Sequence, residues 1–160
     1  MYDTLYDGCK FRLLNVIDEG NREPLRIECG SSIPSTRLLR VLDELIDSYG
    51  KPKAIRMDYG PEMTSAKFDS WAEQHGIELH YIQPGKPNQN VFVERFNRSV
   101  RQQVLDAWLF ESLTQAQQIL EGWRIEYNTL RSHESLDKKT PLAYLPRVVN
   151  AEISSFKLST

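Results

Sequence analysis

Ala54-Ile55-Arg56-Met57-Asp58-Tyr59-Gly60-Pro61-Glu62 follows the breaker-rich Gly50-Lys51-Pro52-Lys53. Its first four residues read as a short buried strand that ends where Gly60-Pro61 turns the chain. Asp58 therefore stands at the carboxyl end of a strand, and in open α/β sheets that rim carries the ligand crevice. The same carboxylate also suits a cap on the turn or on the following helix, and the local residues leave both readings open.

Working outward, the pattern alternates between strand and helix. Cys9 to Ile17 and Leu25 to Cys29 read as strands joined by a polar turn around Gly20-Asn21. Leu38, Val41, Leu42, Leu45 and Ile46 mark an amphipathic helix ending near Gly50. Phe68, Trp71 and Ala72 mark a second helix that stops at Gly76, and Ile77 to Ile82 form the next strand. Leu113, Ala116, Leu120, Trp123 and Tyr127 recur at spacings of three and four, which predicts a long final helix with one apolar face turned to the core. Antiparallel strands followed by alternating helix and strand predict an α/β fold with a mixed sheet flanked by helices.

Glu94 lies 35 intervening residues beyond Asp58, in a helix predicted from Val91 to about Leu109. Val93, Phe96, Val100 and Val104 face the core of that helix, while Glu94, Arg98 and Arg101 fall at i, i+4 and i+7 along its flank. An ordinary solvated Glu94–Arg98 pair would explain that flank, at a few tenths of a kcal/mol. The preceding loop, Pro84-Gly85-Lys86-Pro87-Asn88-Gln89-Asn90, joins turn formers to amide side chains and feeds a helix amino terminus, where free N–H groups and the dipole favour phosphate. If the fold brings Asp58 and Glu94 together, the two carboxylates can share divalent cations.

Together these motifs resemble a known family. Ile82 to Asn90, followed by Val93-Glu94-Arg95-Phe96-Asn97-Arg98, is similar to the signature of bacterial insertion-sequence transposases with a retroviral-integrase-like catalytic core, in the group made from two overlapping reading frames. The likeness extends through Arg56 to Glu62, through Trp71-Ala72-Glu73 with Gly76-Ile77, and through Tyr127-Asn128, Arg131, His133, Leu136, Thr140 and Pro141. It covers the chain from about Asp3 to Leu145.

The resemblance implies a ribonuclease-H-like fold whose three acids hold two Mg²⁺ or Mn²⁺ ions for DNA cleavage and strand transfer. Asp58 matches the second acid and Glu94 the third, as catalytic and metal-binding residues. Arg101 matches a basic position expected to touch DNA, and Lys86, Asn90 and Arg98 complete the expected DNA contacts. In the family the first acid lies on the first strand, at a position that counts back to just before Met1. Residues 1–146 are thus expected to form a core lacking the start of that strand, with 147–160 as a C-terminal tail. Asp3 and Asp7 match non-catalytic positions of the first hairpin, where Asp7-Gly8 is a good tight-turn pair. Tyr59 departs from the asparagine usual after the second acid.

Composition suits one domain. The 160 residues are 40% hydrophobic, which suffices for a sizeable core. No stretch approaches the ~18 apolar residues of a membrane span, the start lacks a signal-peptide pattern, and a cytoplasmic bacterial location is expected. Cys9 and Cys29 read as buried small residues, and His75, His80 and His133 lack metal-site spacing. A net charge of −2 argues mildly against a stand-alone DNA binder, but four basic residues and one acid between Lys86 and Arg101 make a positive strip once Glu94 is neutralised by metal. Arg131 and His133 sit in a polar loop that suits either a DNA or interface role or a solvated helix end. The expected partners are DNA and further transposase copies, homo-oligomeric or intact, with no membrane. A truncated chain of this kind is expected to be inactive alone. The alternative is a non-catalytic remnant that binds DNA or intact transposase and inhibits it, and the loop motifs disfavour a nuclease acting on RNA–DNA hybrids.

Overall fold

The structure is a computed structural model, describing residues 1–58, 60, 63–82, 91–144 and 156–159. Three antiparallel strands come first: β1 (Tyr2–Thr4), β2 (Lys10–Asp18) and β3 (Pro24–Gly30). The turn between β1 and β2 holds Gly8 at a positive φ of 85°, and the Asp7 carboxylate accepts the Cys9 N–H at 2.9 Å. Asp7 thus has the structural role expected of the pair. Cys9 is exposed in this turn, contrary to the buried strand position expected from sequence, because β2 begins one residue later. Cys29 is buried, and burial pushes its thiol up to about 12.

Helices and parallel strands then alternate as expected: α1 (Ser35–Tyr49), β4 (Ala54–Met57), α2 (Ala66–His75), β5 (Glu78–Tyr81), α3 (Val91–Val100), α4 (Leu113–Thr129) and the short α5 (Pro141–Tyr144). The Ser65 side chain caps α2 and Gly76 ends it in the left-handed conformation at φ 61°. The helix after Glu94 is shorter than its periodicity predicts. It passes at Arg101 into a π-helical segment, Arg101–Leu105, and ends there rather than near Leu109.

Both faces of the sheet are covered, so β2 is buried on both sides rather than on alternate residues. Leu14 and Val16 pack with α1 and α2 through Leu38, Leu42, Phe68 and Trp71. Phe11, Leu13 and Ile17 pack with α3 and α4 through Val93, Phe96, Val100 and Leu120. Gln117 fixes α4 to the sheet from the side, donating to the Ile27 carbonyl at 2.7 Å and accepting the Cys29 N–H at 2.8 Å.

One strand has no counterpart in the sequence reading. Phe156–Ser159 forms β6, which lies between β2 and β4, antiparallel to the first and parallel to the second. Arg12 pairs with both Tyr2 and Gly30, while Asn15, Val16 and Ile17 each pair with both β3 and β6. β1 and β6 therefore occupy the same edge of β2, opposite β3. They run in the same direction, end to end. The Leu13 N–H donates to the Met1 carbonyl at 2.9 Å, and Ser159 is opposite Asn15, so only Leu14 separates the two registers.

Candidate active site

Asp58 directly follows β4 and is half-buried. Continuing the β4–β6 register, in which Ile55 faces Phe156 and Arg56 faces Lys157, sets Asp58 level with Ser159. Side chains alternate across a strand, so Asp58 and Ser159 share the face occupied by Asn15, the face on which α3 packs. Asn97, one helical turn beyond Glu94, joins the layers there: its Oδ1 accepts from Asn15 Nδ2 at 2.8 Å, and its Nδ2 donates to Ser159 Oγ at 2.8 Å. These bonds fix the rotation of α3 over the sheet. Glu94 lies in the exposed first turn of the helix.

Burial raises the Asp58 carboxyl above its ordinary value. The Lys157 ammonium opposes that rise, the Glu94 carboxylate adds to it, and the Met1 amino group again opposes it. Glu94, Lys157 and the Met1 amino group thus all act electrostatically on Asp58. Lys157 is itself almost wholly buried, with its Nζ 3.5 Å from Glu19, and Arg56 Nη1 is 3.1 Å from the same carboxylate. Burial lowers the pKa of Lys157 and Glu19 raises it in part. At the start of α3 the Arg22 guanidinium stacks 3.3 Å over the Phe92 ring, which anchors the helix end that carries Glu94.

The basic residues expected to touch DNA are placed differently from one another. Arg98 is exposed in the last turn of α3. Arg101 is turned to the first strand, 3.4 Å from Asp3 and donating to the Tyr2 carbonyl, with Asp106 at 3.7 Å. In this conformation Arg101 ties the π-helical segment to β1 and so leaves the flank shared with Glu94. Lys86, Asn90 and Tyr59 lie outside the described residues. Arg131 donates to Gln103 at 2.8 Å, and His133 packs 4.8 Å from the Tyr127 ring, its pKa lowered by burial and then by Arg131 and Arg95.

Among the described residues no group of three or more His, Cys, Asp or Glu side chains is gathered for a metal ion. The donors present on this face are Asp58, Glu94 and the amide oxygen of Asn15, which is buried and has no hydrogen-bond partner. Such an all-oxygen set fits a hard divalent cation and does not fit a soft one. Asn15, Asn97 and Ser159 were not assigned roles from sequence. Asn97 stands inside the quoted motif three residues after Glu94, a spacing that places it on the same side of the helix.

The fold and this face define a ribonuclease-H-like α/β core. Integrase core domain models match residues 2–87 and 75–141, and the chain belongs to that family. Proteins of bacterial insertion elements are among its relatives. It is 37% identical over 144 residues to the insertion element IS476 uncharacterized 39.2 kDa protein of Xanthomonas euvesicatoria, covering 90% of this chain and 42% of that protein. It is also 37% identical to the insertion element IS407 uncharacterized 31.7 kDa protein of Burkholderia multivorans, covering 87% of this chain and 50% of that one. The chain thus spans half or less of these relatives' length. A transposase for insertion sequence element IS904 from Lactococcus lactis subsp. lactis is 30% identical over 54% of this chain and 35% of its own length. Among solved structures, the HTLV-2 integrase catalytic core domain in complex with magnesium superposes with a TM-score of 0.68 at 20% identity, covering 90% of each chain. A simian T-cell lymphotropic virus intasome chain superposes with a TM-score of 0.76 at 17% identity, covering 96% of this chain and 54% of its own. Among the described residues no helix is long and apolar enough to cross a membrane.

Proposed function

We propose that this domain is the polynucleotidyl-transfer core of a DNA transposase, with Asp58 and Glu94 holding Mg²⁺ or Mn²⁺ and with DNA ends and target as substrates. The observation that carries this reading is the place of Asp58, half-buried at the end of a central strand and on the face over which α3 packs, where burial and then Glu94 oppose its ionisation. A carboxylate whose ionisation is opposed by burial and by a neighbouring carboxylate is relieved by a bound cation. When bound, the metal would activate the attacking oxygen and stabilise the leaving one. Asn97 orients α3, and Lys86, Asn90, Arg98 and Arg101 are the proposed DNA contacts, the last after release from Asp3. The protein would act in the bacterial cytoplasm as an oligomer on DNA.

A second reading draws on the same face. With two carboxylates and the Lys157 ammonium beside one of them, the chain on its own would be inactive, and would act by binding DNA or intact transposase and inhibiting it. Thermal unfolding followed during Mg²⁺ or Mn²⁺ titration tests the site: stabilisation is expected in the roughly millimolar range and should shrink in Asp58→Asn. Strand transfer on terminal-repeat DNA then separates the two readings. Strand transfer by this chain that Asp58→Asn removes supports the first reading. Inhibition of intact transposase without strand transfer supports the second, and a metal response unchanged by Asp58→Asn overturns the site.

A further inference from the structure

We propose that Ser159, delivered by the C-terminal strand β6, is the third corner of the cation site formed by Asp58 and Glu94, and that its neutral hydroxyl sets the affinity of that site. This rests on reading Asp58 and Glu94 as cation ligands. Three independent placements converge on residue 159. The parallel register with β4 sets it level with Asp58, and the antiparallel register with β2 sets it opposite Asn15. From the helix layer, its Oγ accepts the Asn97 amide one turn beyond Glu94. Beside it Asn15, wholly buried, turns an amide oxygen with no partner into the same layer. A buried acceptor left without a donor is costly, and a cation or its bound water would relieve that cost.

β6 also occupies the line that β1 would follow if it continued beyond Met1 along β2, with one β2 residue between them. The segment that completes the sheet therefore also decides what chemistry faces Asp58. It presents a hydroxyl at Ser159, and two residues earlier, on the same face, a buried ammonium at Lys157. A carboxylate at residue 159 would replace that neutral hydroxyl with a charged ligand, and ligand charge is how such sets tune affinity for hard cations.

The test compares the full chain with Ser159→Asp and Ser159→Asn in Mn²⁺ titrations followed by calorimetry and by melting temperature. Ser159→Asp is expected to melt lower than the parent without metal, to bind Mn²⁺ about tenfold tighter or more, and to recover its melting temperature as the site fills. Ser159→Asn should show no gain. In the Asp58→Asn background the gain should vanish. If the aspartate variant does not fold, Ser159→Cys titrated with Cd²⁺ reads the same geometry. Thiolate-to-cadmium absorption above that of the parent's own cysteines should appear and should weaken in Asp58→Asn. A folded Ser159→Asp whose Mn²⁺ affinity matches the parent's overturns the inference, as does a gain that survives Asp58→Asn. In the first case a parent response still weakened by Asp58→Asn leaves the two-carboxylate reading standing. A parent response that Asp58→Asn does not alter removes that reading as well.

Discussion

Phe156→Ala is expected to lower the unfolding free energy by about 3–5 kcal/mol, the usual cost of truncating a buried phenylalanine. Phe156 is 0% exposed and packs with Leu14, Val16, Ile55 and Leu158 on the α1 and α2 side of the sheet. It is also opposite Asp18 on one neighbour and Ile55 on the other, so the strand it anchors joins the antiparallel and parallel halves. A cavity there loosens more than one side chain, because a four-residue strand has few other contacts with which to hold its register. Urea denaturation measures the loss, with Leu130→Ala at an exposed helix end as the comparison, expected within about 0.5 kcal/mol of the parent. If Phe156→Ala costs no more than Leu130→Ala, β6 is not a working member of the sheet.

The second large effect is expected on the other face. Phe96 is buried in α3 and meets the Trp123 ring at 5.6 Å and the Tyr127 ring at 5.3 Å, edge-on to the latter. Aromatic contacts of this kind add to the burial of area, so Phe96→Ala should also cost about 3–5 kcal/mol. Its consequence differs from that of Phe156→Ala. α3 carries Glu94 and Asn97, and without Phe96 the helix loses its ring contacts with Trp123 and Tyr127 of α4. The variant should therefore show both the lower denaturation midpoint and a weakened Mn²⁺ response at temperatures where it is still folded. A Phe96→Ala protein that is destabilised but binds Mn²⁺ like the parent would show that Glu94 is held by other means, the Arg22–Phe92 contact among them.

The parts of the molecule that sequence made legible are those whose signal is local. Ala54–Met57 is apolar, short and bounded by breakers, so β4 and the place of Asp58 at its end could be read directly. The core stripe Val93, Phe96, Val100 identified the buried face of α3. The parts that were not legible depend on distant partners. Phe156-Lys157-Leu158-Ser159 alternates apolar and polar residues, which suits a strand facing water on one side, yet here all four are buried between strands from two other regions of the chain. Lys157 in particular argues for exposure until Glu19 is placed beside it. The periodicity predicts too long a helix beyond Val100 because a regular 3.6-residue stripe does not show where an extra residue enters a turn, as it does at Arg101–Leu105. That change accompanies the pairing of Arg101 with Asp3, a contact between residues 98 positions apart in sequence.

The proposed chemistry requires a cation bound between Asp58 and Glu94. Amide NMR spectra recorded during a substoichiometric Mn²⁺ titration locate the paramagnetic ion directly. Broadening is expected first at Asp58, Glu94 and Ser159, with Asn97 and Asn15 next, and it should fade in Asp58→Asn. Broadening centred elsewhere, for example on Glu28 and Glu44 where Arg26, Arg37 and Arg40 already pair, or none at any residue of this face, would contradict it.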